Sequence, residues 1–99
     1  MRRSEIHWYT FKTPDKKRPV LILIRNSILD VLGEVAVAPI TSTIRQIPSE
    51  VVLTPEDGML KVCAVNLEVT KAKVRPLITA LNDAQMDRVK NALLFALGF

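Results

Sequence analysis

Pro19-Val20-Leu21-Ile22-Leu23-Ile24 is the stretch on which the fold turns. It is apolar without a break, and Arg25 closes it. A strand with one wet face would alternate apolar and polar side chains. This one does not, so it reads as a strand buried on both faces. The run is far shorter than the ~20 apolar residues a membrane helix requires.

On the N-terminal side, Ile6-His7-Trp8-Tyr9-Thr10-Phe11 is rich in aromatic and β-branched residues and predicts a first strand. Thr13-Pro14-Asp15-Lys16-Lys17 predicts the turn between the two, with Pro14 fixing φ and Asp15 able to bond the local backbone. On the C-terminal side, Asn26 to Leu32 predicts one or two helical turns ended by Gly33. Glu34 to Ile40 predicts a third strand leading into Thr41-Ser42-Thr43, and Ser49 to Leu53 a fourth after Pro48. Thr54-Pro55-Glu56-Asp57-Gly58 has type I turn composition. Met59 to Leu67 then predicts a fifth strand, and Val74 to Leu81 a short sixth interrupted near Pro76.

The ending has a different period. Asn82 and Gln85 have the spacing of a capping box, and Met86, Val89, Leu93, Ala96 and Leu97 recur on one helical face. Gly98 marks the stop, while Leu94 and Phe95 widen the apolar surface beyond one stripe, so that the helix either packs firmly on the sheet or also meets a partner. Five or six short strands with one terminal helix predict a mainly β fold with α. The specific expectation is a small SH3-like β-barrel closed by a C-terminal helix, a single domain over residues 1–99.

Composition narrows the chemistry. The single cysteine, Cys63, permits no intrachain disulfide, and its apolar neighbours predict a buried, inert thiol. The net charge is +4, and its placement matters more than its size. Arg2, Arg3, Lys12, Lys16, Lys17, Arg18 and Arg25 crowd the first quarter, and Lys71, Lys73 and Arg75 form a second cluster. Such asymmetry suits an anionic partner, with nucleic acid the commonest, although charge alone fits a solubilising surface equally well. Arg2 and Arg3 are not followed by an apolar leader, so the chain reads as cytoplasmic, without membrane association.

One histidine and one cysteine cannot build a usual zinc site, and no carboxylate cluster resembles a Mg²⁺ or Ca²⁺ site. The three glycines, Gly33, Gly58 and Gly98, make no phosphate-binding loop. A Ser-His-Asp triad would have to use His7, which sits inside an alternating strand. Arginine, lysine, threonine and serine remain. That set suits RNA cleavage, because the substrate carries its own nucleophile, the ribose 2′-OH beside the scissile phosphate. An arginine fork matches phosphate oxygens and keeps its charge, and a nearby threonine hydroxyl can bond a non-bridging oxygen. On composition alone this is one option among several.

Two segments go further. Lys17-Arg18-Pro19-Val20-Leu21-Ile22-Leu23 resembles the "RPVLVL" strand of the MazF/PemK family of toxin endoribonucleases. Val37-Ala38-Pro39-Ile40-Thr41-Ser42-Thr43-Ile44-Arg45, followed by Ile47-Pro48-Ser49-Glu50-Val51, resembles its "VAPITST…PTEV" segment. Gly58 and Leu93 to Gly98 match later landmarks, so the likeness spans nearly the whole chain, with the PITSTIR segment its most specific part. The resemblance implies an SH3-like barrel and a homodimer with RNA in grooves near the subunit interface. It also implies metal-independent, sequence-specific cleavage of single-stranded RNA, without a cofactor, to 2′,3′-cyclic phosphate and 5′-OH ends. A cognate antitoxin of the MazE type would block the groove. By position, Arg18 becomes the catalytic arginine and Thr41 its hydroxyl partner.

Two departures stand out. The family's longer first loop, often reading "GSEQ", is replaced by Lys12 to Lys17, so Lys16 and Lys17 become the candidates for phosphate contacts. Ser42, Thr43 and Arg45 are the other candidate substrate-binding residues. After Asn66-Leu67 the chain passes directly to Glu68-Val69-Thr70-Lys71-Ala72-Lys73, shorter than the family pattern and without part of one groove wall. Plainer readings stand beside these: Arg18 in an ion pair with Asp15, Thr41 as a turn hydroxyl, Trp8 as core. Two other functions compete, a gyrase-inhibiting toxin similar to CcdB and a non-catalytic SH3-like module binding RNA or protein.

Overall fold

The computed structural model describes residues 2–11, 16–29, 31, 35–59, 63–66, 70–72 and 77–98. Seven strands and a C-terminal helix make up most of it: β1 (Glu5–Phe11), β2 (Lys16–Ile22), β3 (Val35–Thr41), β4 (Glu50–Leu53), β5 (Cys63–Asn66), β6 (Thr70–Ala72), β7 (Leu77–Ala80) and α2 (Asp83–Leu97). A four-residue helix, α1 (Asn26–Leu29), follows β2, and a 3₁₀ turn (Pro55–Asp57) follows β4. All described pairings are antiparallel, in the order β4-β5-β3-β2-β1-β7, with β6 also on β3.

The strand predicted to be buried on both faces is central. Leu21 belongs to the main core with Ile6, Ala38, Ile40, Val51, Leu53, Val65 and the helix residues Val89 and Ala92. Val20 and Ile22 point the other way and pack with Val37 under Tyr9 and Ile24. Because directly opposite residues share a face, α2 lies on the Leu21 side of the sheet and the Val20 side is left to other contacts. Among the described residues, no helix is long and apolar enough to cross a membrane.

Several expectations are corrected. The sheet does not close into a barrel: among the described residues β4 and β7 form no ladder. The turn after β4 stands there instead, since Gly58 meets Thr79 of β7, and Leu53, Met59 and Leu81 share one core. Lys16 and Lys17 belong to β2 rather than to a turn, opposite Phe11 and Thr10, because the ladder to β1 extends beyond the apolar run. Thr70–Ala72, not predicted as a strand, pairs with the first half of β3 while β5 takes the second half. Pro39, which has no N–H to donate, falls between those two pairings. The expected thiol environment of Cys63, the first-loop residues 12–15 and the helix end at Gly33 lie outside the described side chains and residues.

The helix follows its sequence signals at both ends. Asn82 accepts from the Gln85 N–H at 2.9 Å, and the Gln85 side chain accepts from the Asn82 N–H at 2.8 Å. Gly98 caps the C-terminus with φ 79°, its N–H donating to the Leu94 and Phe95 carbonyls. The apolar stripe is only partly used. Val89 and Ala92 are buried, whereas Leu94, Phe95 and Leu97 are 38%, 62% and 57% exposed.

Gly58 shows where a side chain cannot be accommodated. Its φ is +92°, and a Cβ there would stand 3.0 Å from Thr79 Oγ1. Gly58→Ala is therefore expected to destabilise the protein by about 2 kcal/mol, from the left-handed backbone and the overpacking together. Thermal unfolding checks it. Adding Thr79→Ala should recover the steric part only, and an unchanged melting temperature for Gly58→Ala would refute the account.

Candidate active site

The site follows from strand parity and register. Tyr9 pairs with Arg18 across β1 and β2, and Val20 pairs with Pro39 across β2 and β3. By strand alternation Arg18 shares the face of Val20, two residues along β2, and Thr41 shares that of Pro39, two residues along β3. Thr41 pairs with Ala64 of β5, which pairs with Val52 of β4. Tyr9 and Arg18 are thus directly opposed, and Thr41 lies on the same face of the sheet one strand further on. Arg18 and Thr41 are both half-buried, on the Val20 side and away from α2.

Each side chain is prepared differently. Among the described residues, no carboxylate pairs with Arg18, and Asp15, its suggested partner, is not one of them. Its guanidinium keeps a fork of donors for an anion. The Thr41 hydroxyl oxygen accepts the Thr43 N–H at 3.2 Å, which fixes the oxygen and leaves the O–H proton to donate outward. A fixed cation and a hydroxyl donor side by side can hold two non-bridging oxygens of one phosphate.

The other sequence candidates divide. Ser42, Thr43 and Arg45 are exposed on the loop that leaves Thr41. Lys17 lies on the opposite face from Arg18, because alternation sends adjacent residues of a strand to opposite sides. There its Nζ stands 5.2 Å from the centroid of the Trp8 ring. The Lys16 side chain lies outside the described ones. His7 shares the Arg18 face but is occupied, its Nε2 3.0 Å from Glu5 Oε1. Burial raises the Glu5 carboxyl, yet the bonds from His7 and from the Arg2 N–H outweigh it and hold it below the ordinary value. Among the described residues, no three His, Cys, Asp or Glu side chains gather as a metal site.

Glu50 was missed by sequence reasoning. Its Oε1 accepts two backbone N–H groups, from Arg45 at 2.9 Å and Gln46 at 3.0 Å. Its neighbours Pro48 and Ser49 suggested only a strand start, and nothing in the local pattern signals a carboxylate reaching back over the loop.

The family of PemK-like, MazF-like toxins of type II toxin-antitoxin systems matches residues 2–97. The chain belongs to this family. It is 34% identical over 103 residues to a probable endoribonuclease MazF2 of Mycobacterium tuberculosis, with 99% of each chain covered. Its fold is similar to that of the Mycobacterium tuberculosis toxin MazF-mt6, with TM-score 0.86, 29% identity, and 96% and 97% of the two chains covered. A mycobacterial endoribonuclease solved with its cognate antitoxin has the same fold, at TM-score 0.89 and 23% identity, covering 100% and 96%. Arg18 and Thr41 both lie within the region that matches the MazF/PemK toxins.

Proposed function

We propose that this MazF/PemK-family protein is a single-domain toxin endoribonuclease that cuts single-stranded RNA at Arg18 and Thr41. The observation that carries the reading is the shared face: a half-buried arginine and a hydroxyl donor on one side of the sheet, on adjacent strands. The ribose 2′-oxygen attacks phosphorus as its proton passes to solvent or a nearby base. The bond to the 5′-oxygen breaks, and that oxygen leaves as 5′-OH after taking up a proton. The other product is a 2′,3′-cyclic phosphate. Charge accumulates on the non-bridging oxygens in the pentacoordinate state. Arg18 neutralises it through two N–H donors, and Thr41 donates one further hydrogen bond. Arginine stays protonated at physiological pH, so its first role is charge stabilisation. Ser42, Thr43 and Arg45 line the exit from Thr41 and supply binding contacts, with Lys16 a further phosphate contact along the strand.

The residue set supports a mechanism without metal or cofactor. Incubation of purified protein with a long unstructured RNA in EDTA is expected to yield fragments with 5′-OH ends. Intact RNA would overturn the reading and turn attention to gyrase inhibition as in CcdB.

The fold neighbour in complex with its cognate antitoxin supports the same kind of partner here, a MazE-type antitoxin covering the face that bears Arg18 and Thr41. The exposed Leu94, Phe95 and Leu97 support a homodimer. An open, mainly β sheet carrying a C-terminal helix, assembled as that dimer in the cytoplasm, is the full form of the proposal.

A further inference from the structure

We infer that Glu50 is a positioning residue for the cleavage site, one that holds the loop after Thr41 in its working shape. The inference rests on the ribonuclease reading of Arg18 and Thr41.

The loop runs from Ser42 to Ser49 between β3 and β4. Its first turn is tied by Thr41, whose hydroxyl oxygen accepts the Thr43 N–H. Its second half is tied by Glu50 alone among the described side chains: one carboxylate oxygen takes both the Arg45 and the Gln46 N–H. Gln46 sits at φ 56°, a left-handed conformation that a non-glycine residue adopts at a cost. The Glu50 N–H donates back to the Ile47 carbonyl at 3.0 Å, closing the loop on the start of β4. The segment bearing Ser42, Thr43 and Arg45 is therefore suspended between two side-chain oxygens, those of Thr41 and Glu50.

Glu50 is well anchored for that task. In β4, Val51 and Leu53 turn into the core, while Glu50 and Val52 share the other face. Val52 pairs with Ala64, and Ala64 with Thr41, so Glu50 stands two residues along β4 from the position in line with Thr41. The second oxygen, Oε2, is buried without a hydrogen-bond partner. Burying an unpartnered carboxylate oxygen is costly, which argues against a merely solubilising acid at this position. A charged acceptor binds two N–H groups more strongly than a neutral one, and Glu50 offers a single oxygen to both. Its strand fixes the direction in which the loop backbone, and with it the Thr41–Arg45 edge, is drawn.

The test compares wild type, Glu50→Gln and Glu50→Ala, each well below its melting temperature. Two quantities are read: kcat and KM for cleavage of an unstructured RNA, and amide hydrogen exchange at Arg45 and Gln46. Glu50→Ala is expected to speed exchange at both amides and to lower kcat about tenfold, with KM within about threefold. Glu50→Gln keeps a carbonyl oxygen that can accept both bonds and should stay within about threefold of wild type in kcat. A kcat for Glu50→Ala within twofold of wild type would overturn the inference, as would an equal loss in both variants. If wild-type protein leaves RNA intact, the ribonuclease reading fails, and the inference falls with it as a statement about catalysis. The amide exchange then reports separately whether Glu50 shapes the loop.

Discussion

Arg18→Ala is expected to lower kcat for RNA cleavage about 1000-fold while leaving the fold intact. Removing a single preorganised donor from an oxyanion site costs 10²–10³ in rate, and arginines that neutralise a transferring phosphoryl group contribute more. Arg18 offers two donors and a full charge at one point, so the loss should lie at the upper end of the donor range. The fold should survive because, among the described residues, no carboxylate pairs with this guanidinium, and the apolar packing of β2 comes from Val20, Leu21 and Ile22. Lysine should not rescue it: a point charge on a flexible stem cannot present two parallel N–H groups to a phosphate. Melting curves and single-turnover cleavage of one RNA by wild type, Arg18→Ala and Arg18→Lys check both halves. Equal cleavage by wild type and Arg18→Ala would refute the assignment. A collapsed melting temperature would make Arg18 structural.

How much of this is legible in the sequence follows from where the information sits. The burial of β2 on both faces could be read because Val20 to Leu23 contain no polar alternation, and each of these residues is buried. The capping box and the Gly98 stop were legible because both are local hydrogen-bond devices spanning a few residues. β6 was not, since Thr70-Lys71-Ala72 has neither apolar period nor length, and its strand state comes from β3 offering an open edge. The extent of β2 was misread for a related reason: Lys16 and Lys17 look like turn residues, yet pairing with β1 overrides that composition. The exposure of Leu97 could not be foreseen, because helical spacing says which residues share a face but not how far the underlying sheet reaches.

The site was legible in part. Resemblance named Arg18 and Thr41, but a strand that is apolar on both sides hides which face each residue serves. Register and alternation set Arg18 beside Tyr9 on the face that Thr41 shares, and send Lys17 to Trp8 on the other side. Glu50 was invisible because its role lies in backbone N–H groups four and five residues earlier, and any residue but proline could supply those. Side-chain patterns carry packing well. They carry side-chain-to-backbone bonds poorly.

Thr41→Val is the second large effect, an expected fall in kcat of about 100-fold with little change in KM. Valine keeps the shape and β-branching, so the strand end should hold, and only the hydroxyl disappears. Two interactions go with it: the bond from the Thr43 N–H and the donation to the phosphate in the transition state. The first costs a neutral, exposed hydrogen bond, ~1 kcal/mol or less. The second lies within the ~2.7–4 kcal/mol of an oxyanion donor, at its lower end because Arg18 still carries the charge. Serine retains the hydroxyl and should recover most of the rate, which separates loss of the donor from disturbance of the loop. Because Arg18 and Thr41 act on the same developing charge, the double variant Arg18→Ala/Thr41→Val should be barely slower than Arg18→Ala. Additive losses in that cycle would mean that the two groups serve different steps. A Thr41→Val protein that fails to fold would assign the hydroxyl to the turn rather than to the phosphate.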